Sequence, residues 1–226
     1  MKLGALFSGG KDSAYAMFKA MGKHEIVCLI TMVSKNDESY MFHVPNIHLT
    51  EMQAEAMNLP LVKENTEGVK EEELKDLKRA LQKAKDKYNI EGITTGALAS
   101  NYQRERIAKL CDELGLECIN PLWGMDQIQL LKEVVENGFK VIISGIFAEP
   151  LTEKWLGKEI DSELITELIK LKDKYRINPA GEGGELESTV LDAPFFRKRI
   201  EVLDSEIRAE KHSGVLIIKD AKLVDK

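Results

Sequence analysis

The stretch that decides the fold is Leu3-Gly4-Ala5-Leu6-Phe7-Ser8-Gly9-Gly10-Lys11-Asp12-Ser13. Its apolar part predicts a buried strand that ends at Phe7, and residues 14–20 after it predict a helix. A glycine pair between a strand and a helix directs several backbone N–H groups at one point, where the helix N-terminus adds partial positive charge. Because ligands of α/β sheets bind beyond the carboxyl ends of the strands, we predict a phosphate-binding loop here, with Lys11 as its cation.

The glycine pair by itself has a simpler interpretation, which is a tight turn. Lys11, Asp12 and the two flanking serines favour phosphate binding over that interpretation. The spacing G-x-x-x-x-G-K-[ST] of the common phosphate loop is absent, and so is the dinucleotide fingerprint G-x-G-x-x-G. Residues 8–13 instead resemble the Ser-Gly-Gly-x-Asp-Ser loop of the N-type ATP pyrophosphatases. That resemblance implies that the loop grips the pyrophosphate end of ATP.

Strands and helices alternate through the first half of the chain. The sequence predicts strands at 3–7, 25–33, 61–64 and 93–98, and helices at 14–20, 47–58, 70–88 and 102–114. This alternation indicates an α/β fold with a parallel sheet flanked by helices. The resemblance of the loop implies the Rossmann-like, adenine nucleotide alpha hydrolase-like version of that fold.

The pattern changes after Trp123. A helix is predicted from Asp126 to Asn137, a strand at 139–147 and a helix at 162–174, followed by short strands at 188–191, 199–210 and 214–218. This ending is no strand–helix repeat, so it predicts a smaller C-terminal α+β domain. We place the nucleotide-binding domain at 1–124 and the C-terminal, substrate-binding domain at 125–226.

Composition and charge bound the classes of function. The 226 residues carry 31% charged and 43% hydrophobic side chains and a net charge of −6. No apolar run reaches the roughly 18 residues of a membrane span, and residues 1–7 are too short for a signal peptide, so we expect a cytoplasmic protein with no membrane partner. Because nucleic-acid binding needs a basic surface, the acidic balance argues against a nucleic-acid partner.

Cysteines and histidines give no metal or nucleophile pattern. Cys28, Cys111 and Cys118 form no Cys-x-x-Cys pair, and we interpret all three as structural. The four histidines are scattered, so we expect neither zinc nor a catalytic histidine. His43, within residues 40–45, is predicted to lie in a mobile loop beside the nucleotide.

Two further segments extend the resemblance. Residues 100–106 (Ser-Asn-Tyr-Gln-Arg-Glu-Arg) lead to Pro121-Leu122-Trp123, and residues 181–188 (Gly-Glu-Gly-Gly-Glu-Leu-Glu-Ser) lead to 191–194 (Leu-Asp-Ala-Pro). Together with residues 8–13, these segments resemble the diphthine–ammonia ligase family over nearly the whole chain. The family usually has an aromatic residue and a threonine where this chain has Leu186 and Ser188.

The resemblance implies a reaction and its partners. ATP with Mg²⁺ would adenylate the carboxylate of diphthine, a modified histidine on translation elongation factor 2, releasing pyrophosphate. Ammonium would then give the amide diphthamide and AMP. Adenylation of a small-molecule carboxylate of the cobalamin type, or a nucleotide-binding sensor without turnover, remain alternatives. A homodimer is expected from enzymes of this size.

Candidate nucleotide-binding residues are Ser8, Gly9, Gly10, Lys11, Asp12 and Ser13, with Thr31, Met32 and Gly96 at the adenine. Lys11, Asp12 and Arg104 are the candidate catalytic residues. Asp12 has two interpretations, a favourable charge at the helix N-terminus or a ligand of Mg²⁺. Arg104 lies unfavourably against the helix dipole, so either a ligand phosphate or an ordinary salt bridge is expected to hold it.

The acceptor site is predicted from the trimethylammonium group of diphthine. This cation has no N–H to donate, so only opposite charge or aromatic faces can hold it. Candidate residues are Tyr102, Trp123, Glu182, Gly183, Gly184 and Glu185, with Trp155 as another possible ring. The simpler interpretation of residues 181–187 is a solvated acidic turn, and Glu182 and Glu185 have Mg²⁺ as an alternative ligand.

Overall fold

The computed structural model describes residues 1–34, 45–69 and 72–226. Its first half is an α/β unit, whose elements in chain order are β1 (Lys2–Leu6), α1 (Lys11–Met21), β2 (Glu25–Ser34), α2 (Thr50–Met57), β3 (Leu61–Thr66), α3 (Glu72–Tyr88), β4 (Gly92–Thr94), α4 (Asn101–Leu114) and β5 (Glu117–Ile119). The five strands form one parallel sheet in the order β3-β2-β1-β4-β5. The α/β prediction is therefore confirmed, and β1 lies at the centre of the sheet.

Some predicted boundaries were wrong. β4 ends at Thr94, four residues before the predicted end at Leu98, and residues 47–58 divide into a 3-10 turn at Ile47–Leu49 followed by α2. The three-residue β5 was not predicted at all. The predicted loop around His43 lies outside the described residues.

The second half forms an antiparallel sheet. Its elements are α5 (Gln127–Glu136), β6 (Lys140–Ile146), α6 (Ser162–Tyr175), β7 (Leu186–Asp192), β8 (Lys198–Glu210) and β9 (Ser213–Asp225). The sheet order is β7-β6-β9-β8. The α+β class is as predicted, and β8 matches the predicted strand 199–210 to within one residue. β9 was predicted too short, because it continues to Asp225 beyond the predicted end at Ile218 and pairs with β8 as a hairpin.

One hydrophobic cluster joins the two sheets. It contains Leu3 and Phe7 from the β1 segment, the buried face of α1, and Val190 and Leu216 from the antiparallel sheet. At its rim the hydroxyl of Tyr15 in α1 donates to Glu133 of α5 at 2.5 Å. Burying this shared apolar surface holds the second sheet against α1. The division at 124/125 stays a prediction, and α1 is the element on which both halves meet.

The outer face of the parallel sheet has its own cluster. α3 buries Leu77, Ala80 and Leu81, spaced three and four residues apart, against Ile30 and Ile93 of the sheet. This is the spacing that gives a helix one apolar face. In the described ranges, no helix combines the length and the hydropathy that crossing a membrane requires.

Candidate functional site

Hydrogen bonds between Ser8, Gly10 and Ser13 stabilise the loop between β1 and α1. Ser13 Oγ accepts from the backbone N–H of Ser8 at 3.2 Å and donates to the carbonyl of Gly10 at 3.1 Å. Gly9 has φ +83°, and a Cβ there would lie 2.6 Å from Gln53 Oε1. Both the left-handed conformation and the close approach require glycine. The motif thus folds as a tight bend that leads directly into the first turn of α1.

The N-cap residue of α1 is Gly10, which has no side chain that could cap the first turn. By contrast, Ser100, Asp126 and Asp161 cap α4, α5 and α6 with their side-chain oxygens. First-turn N–H groups of a helix have no partner inside the helix. Apart from the Lys11 N–H, which donates to Ser188 Oγ, the first turn next to the bend therefore offers N–H groups and partial positive charge to an anion.

Lys11 is only 2% exposed. Its Nζ donates to Asp12 Oδ2 at 2.9 Å and to the carbonyl oxygen of Ala180. Asp12 Oδ1, in contrast, is buried without a hydrogen-bond partner among the described residues. The ammonium is thus fixed at the start of α1 by its neighbour and by a carbonyl from the C-terminal half, and one carboxylate oxygen of Asp12 stays available.

Strand β7 supports the bend from the other side. Ser188 Oγ accepts from the Lys11 N–H at 3.2 Å, and the Val190 N–H donates to the Gly9 carbonyl at 2.9 Å. Gln53 Nε2 donates to the carbonyls of both Gly9 and Val190, at 3.0 and 2.8 Å. Sequence reasoning did not assign Gln53, Ser188 or Val190 to the site. Only Ser188 carried a signal, since it ends the quoted glycine–glutamate segment.

The glycine-rich loop 181–185 lies beside Lys11, and its two predicted glutamates have different environments. Glu185 Oε1 accepts from the backbone and side-chain nitrogens of Asn178, at 2.9 and 2.7 Å, and Oε2 accepts from the Gly183 N–H at 2.9 Å. Glu182 Oε1 accepts from the Ala99 N–H at 2.9 Å. Burial, reinforced by the negative charge of Asp12, raises the pKa of Glu182. Glu185 therefore holds its own loop together, while Glu182 faces the charges of the α1 bend.

Glu187 is a further carboxylate near this bend. It lies on β7 opposite Gly145 of β6, and sequence reasoning did not assign it to the site. Burial raises its pKa to about 7, with Lys11 lowering and Asp12 raising that pKa. Its presence in the quoted segment 181–188 was the only signal in the sequence.

Of the residues predicted to contact adenine, Thr31 and Met32 lie inside β2, among its last four residues. Thr31 is fully buried, and its hydroxyl donates to the Phe7 carbonyl at 2.7 Å, while Met32 is 3% exposed. Gly96 follows β4, and a Cβ on it would lie 2.7 Å from Ser13 N and 2.8 Å from Asp12 C. The structure thus shows Gly96 making room for the first turn of α1. The contact of these residues with adenine stays a prediction.

The start of α4 pairs arginines with aromatic rings. The Arg104 guanidinium lies 3.8 Å from the centroid of the Trp123 ring, and Arg104 also donates to Asn101 Oδ1 at 3.3 Å. Arg106 lies 3.6 Å from the Tyr102 ring centroid. In the described part of the chain Arg104 makes no salt bridge. Its guanidinium makes a cation–π contact with Trp123 instead of the salt bridge that was one of the two expectations.

Trp155, the other possible ring, and Cys118, interpreted as structural, lie in different halves of the chain. Trp155 lies in a 3-10 turn of the second half, with Lys158 Nζ 5.2 Å from its ring centroid. The neighbouring Cys111 thiol lowers the pKa of Cys118, and Asn120 Nδ2 lies 3.6 Å from Cys118 Sγ. Across the described ranges, no group of three His, Cys, Asp or Glu side chains is arranged to hold a metal ion.

The fold and the loop define a class, which is a Rossmann-like α/β protein with a glycine-rich bend of the ATP-pyrophosphatase type before α1. Family models make the assignment narrower. The model described as "Diphthamide synthase N-terminal domain" matches residues 1–118, and "Diphthamide synthase C-terminal domain" matches residues 126–224. This chain belongs to the diphthamide synthase family.

Curated relatives carry the name diphthine–ammonia ligase. The mouse protein is 36% identical, with 95% of this chain and 86% of that protein covered, and the human protein is 35% identical, with 92% and 85% covered. The fission yeast protein is 33% identical over 97% of this chain, which spans 39% of that longer relative. A solved structure described as a predicted subunit of tRNA methyltransferase from Methanocaldococcus jannaschii aligns with a TM-score of 0.44 and 18% identity, over 86% of this chain and 98% of that one.

Proposed function

We propose that this protein is a diphthine–ammonia ligase that couples the splitting of ATP into AMP and pyrophosphate to amide formation. The observation that carries the proposal is the bend of residues 8–13, which ends at the uncapped start of α1 with the buried Lys11 ammonium beside it. A bend of this kind can bind the pyrophosphate end of ATP, which gains negative charge when pyrophosphate leaves. The names of the relatives supply the substrate class.

In the first step a carboxylate oxygen of the acceptor attacks the α-phosphorus of ATP. The bond from this phosphorus to the bridging oxygen breaks, and its electron pair leaves with pyrophosphate. First-turn N–H groups of α1 and the Lys11 ammonium stabilise that developing negative charge. Arg104 is a candidate for holding the phosphate of the adenylate, since its guanidinium is already positioned by Trp123.

Asp12 fits the role of a magnesium ligand. Its Oδ1 is buried without a partner among the described residues, and carboxylate oxygen is a preferred ligand of Mg²⁺. Mg²⁺ usually binds through one or two carboxylates and the phosphates of the substrate, which agrees with the absence of a three-ligand cluster in the described chain. When bound, the ion would neutralise phosphate charge.

The acceptor is proposed to bind between the glycine-rich loop and the start of α4. Glu182 is the suitable partner for the trimethylammonium group, because the oxygens of Glu185 are occupied by N–H groups of its own loop. Rings of Tyr102 and Trp123 stand near one end of this region, each with an arginine on one face.

Glu182→Gln should raise the KM for diphthine-bearing elongation factor 2 several-fold, on the order of 5- to 30-fold for a lost cation contact of 1–2 kcal/mol. The KM for ATP should change little. Steady-state kinetics with each substrate varied in turn would measure both constants. Glu201→Gln, on the exposed hairpin and paired with Lys222, is the matched control. An unchanged KM for the protein substrate would remove Glu182 from the acceptor site.

The proposed function implies diphthine-bearing elongation factor 2 and ammonium as partners, and neither a nucleic acid nor a membrane. A cytoplasmic location is consistent with these partners. The homodimer stays a prediction.

The decisive assay combines the protein with ATP, Mg²⁺, ammonium and diphthine-bearing elongation factor 2. We expect AMP and pyrophosphate in equal amounts, and a modified histidine whose mass shows the amide in place of the carboxylic acid. Chelation of Mg²⁺ should abolish both products. ADP in place of AMP would contradict the proposal, and nucleotide binding without any product would favour the sensor. AMP formed only with a small-molecule carboxylate would favour the other alternative.

A further inference from the structure

Gln53 of α2 contacts the bend, although it belongs neither to the glycine motif nor to the strand before it. The residue is 0% exposed. The two hydrogens of its amide serve two backbone carbonyls, since Nε2 donates to Gly9 at 3.0 Å and to Val190 of β7 at 2.8 Å. A single buried amide thus connects three parts of the molecule, which are α2, the bend and the C-terminal sheet.

The other atom of this amide argues against simple packing. Gln53 Oε1 is buried and has no hydrogen-bond partner in the described residues. It lies against Gly9, where an added Cβ would be 2.6 Å away from it. Burying a carbonyl oxygen without a donor is unfavourable, and an apolar side chain would fill the same space without that penalty. The glutamine is therefore explained by what its N–H groups hold.

The Gly9 carbonyl is held by two donors from outside the bend. One is Gln53 Nε2 at 3.0 Å, and the other is the Val190 N–H at 2.9 Å. A carbonyl oxygen has two lone pairs, so these two donors use its full capacity. The direction of this carbonyl is thus set by α2 and β7, and not by the glycines themselves.

The direction of the Gly9 carbonyl also sets the direction of the next N–H group. The peptide between Gly9 and Gly10 is planar and trans, so the Gly10 N–H points away from the Gly9 carbonyl. In the described residues its acceptor is Ser8 Oγ at 3.4 Å, which is longer than an ordinary hydrogen bond. The Gly10 N–H is therefore free to bind an anion on the side of the bend where Ser8 lies.

A peptide between two glycines needs such a restraint. Glycine populates positive and negative φ about equally, so the Gly9–Gly10 peptide could reverse at little steric cost. Reversal would turn the Gly9 carbonyl towards a bound phosphate and the Gly10 N–H away from it. It would also break both hydrogen bonds to the carbonyl, and the bond from Gln53 is the one that a side-chain substitution can remove.

We propose that Gln53 is a positioning residue for the pyrophosphate end of ATP, because it holds the Gly9–Gly10 peptide in the orientation that directs the Gly10 N–H at a phosphate oxygen. This inference rests on the proposed function, since it concerns how the bend holds the leaving group. Gln53 acts through the backbone of the bend and not by touching the nucleotide. Through Val190, the C-terminal sheet takes part in the same restraint.

The test uses Gln53→Met, which removes the amide and keeps a side chain of similar length. We expect the affinities for ATP and for inorganic pyrophosphate to fall by roughly 10- to 10²-fold, the factor that corresponds to one lost hydrogen bond to a charged group. The affinity for AMP should be unchanged, because AMP lacks the two phosphates that the bend holds. Calorimetric titration with each of the three ligands in the presence of Mg²⁺ would measure these constants.

Thr50→Val is the matched control on the same helix. Thr50 is 1% exposed, and its hydroxyl donates to the Ile47 carbonyl at 2.7 Å. The substitution removes this hydrogen bond and keeps the methyl group that faces Gly9. Both variants lose buried hydrogen bonding, so chemical denaturation should show a lowered midpoint for each. Only Gln53→Met should weaken pyrophosphate binding while AMP binding stays the same.

A second measurement needs no variant. In the unmodified protein with isotope-labelled glycine, pyrophosphate should shift the NMR signal of the Gly10 amide proton downfield, as expected for a new hydrogen bond to a charged oxygen. The amide of Gly22 is the internal control, because it donates to the Lys19 carbonyl at the far end of α1. Its signal should not move.

The outcomes separate the inference from the proposed function. If the unmodified protein binds neither ATP nor pyrophosphate, the proposed function fails and the inference fails with it. If it binds both, and Gln53→Met binds pyrophosphate equally well, only the inference is overturned. An equal loss for pyrophosphate and AMP, or the same loss in Thr50→Val, also overturns it, because Gln53 would then serve folding alone. A Gly10 amide that does not respond to bound pyrophosphate overturns it even where Gln53→Met fails to fold.

Discussion

Lys11→Ala should lower the rate of AMP formation by roughly 10²–10³-fold, the loss typical of removing one donor that stabilises developing charge. The reason is geometric, since the ammonium is buried and fixed by Asp12 and by the Ala180 carbonyl beside the uncapped start of α1. It is thus in place before pyrophosphate charge develops. Steady-state release of AMP and pyrophosphate would measure the effect.

The same substitution leaves a buried carbonyl at Ala180 and a carboxylate at Asp12 without the ammonium, which costs about 1–3 kcal/mol of folding free energy. That is less than the total stability of a typical domain, so thermal unfolding should still show one folded protein. Lys19→Ala on the same helix is the control, because Lys19 is 37% exposed and its contacts with Glu133 and the Tyr15 ring lie at the rim of the hydrophobic cluster. Turnover of the Lys11 variant at the rate of the Lys19 variant would refute a catalytic Lys11.

Local signals in the sequence were sufficient for the elements that position the bend. β1, the bend and α1 are consecutive, so an apolar run, a glycine pair and a helical pattern are enough to predict them. β5 gave no such signal, because three residues contain no periodicity, and only its pairing with β4 makes it a strand. β9 was predicted too short for a related reason, since its alternation of buried residues ends at Ile218 and residues 219–225 lack a buried apolar pattern.

The residues that contact the bend from distant parts of the chain could not be predicted from local sequence patterns. Ser188 lies 177 residues from Lys11 in sequence, and Gln53 lies 137 residues from Val190. Only the packing of the second sheet on α1 brings them together. Among three glutamates in one short segment, the sequence also had no means of distinguishing Glu185, which binds its own loop, from Glu182 and Glu187, which face the charges. The environments of these glutamates, and not their spacing, distinguish them from one another.

Gly96→Ala should lower both the free energy of unfolding and kcat/KM for ATP, although it adds only one methyl group. The added Cβ would lie 2.7 Å from Ser13 N and 2.8 Å from Asp12 C, which are backbone atoms of the first turn of α1 and have no rotamer to change. The turn or the segment after β4 must move, and overpacking of this kind typically costs about 1–3 kcal/mol. Because small displacements of catalytic groups are costly, we also expect kcat/KM for ATP to fall by roughly 10- to 10²-fold.

Gly22→Ala is the matched control for this change. Gly22 ends α1 with φ −65°, and its nearest contact to an added Cβ is the Lys19 carbonyl at 3.4 Å, so alanine fits there and should be neutral or slightly stabilising. Chemical denaturation and ATP titration of both variants would separate the two sites. If Gly96→Ala unfolds at the same denaturant concentration as Gly22→Ala and binds ATP equally well, then the contact between the β4 end and α1 does not fix the bend. In that case the close approach at Gly96 would serve some purpose other than holding the bend against the sheet.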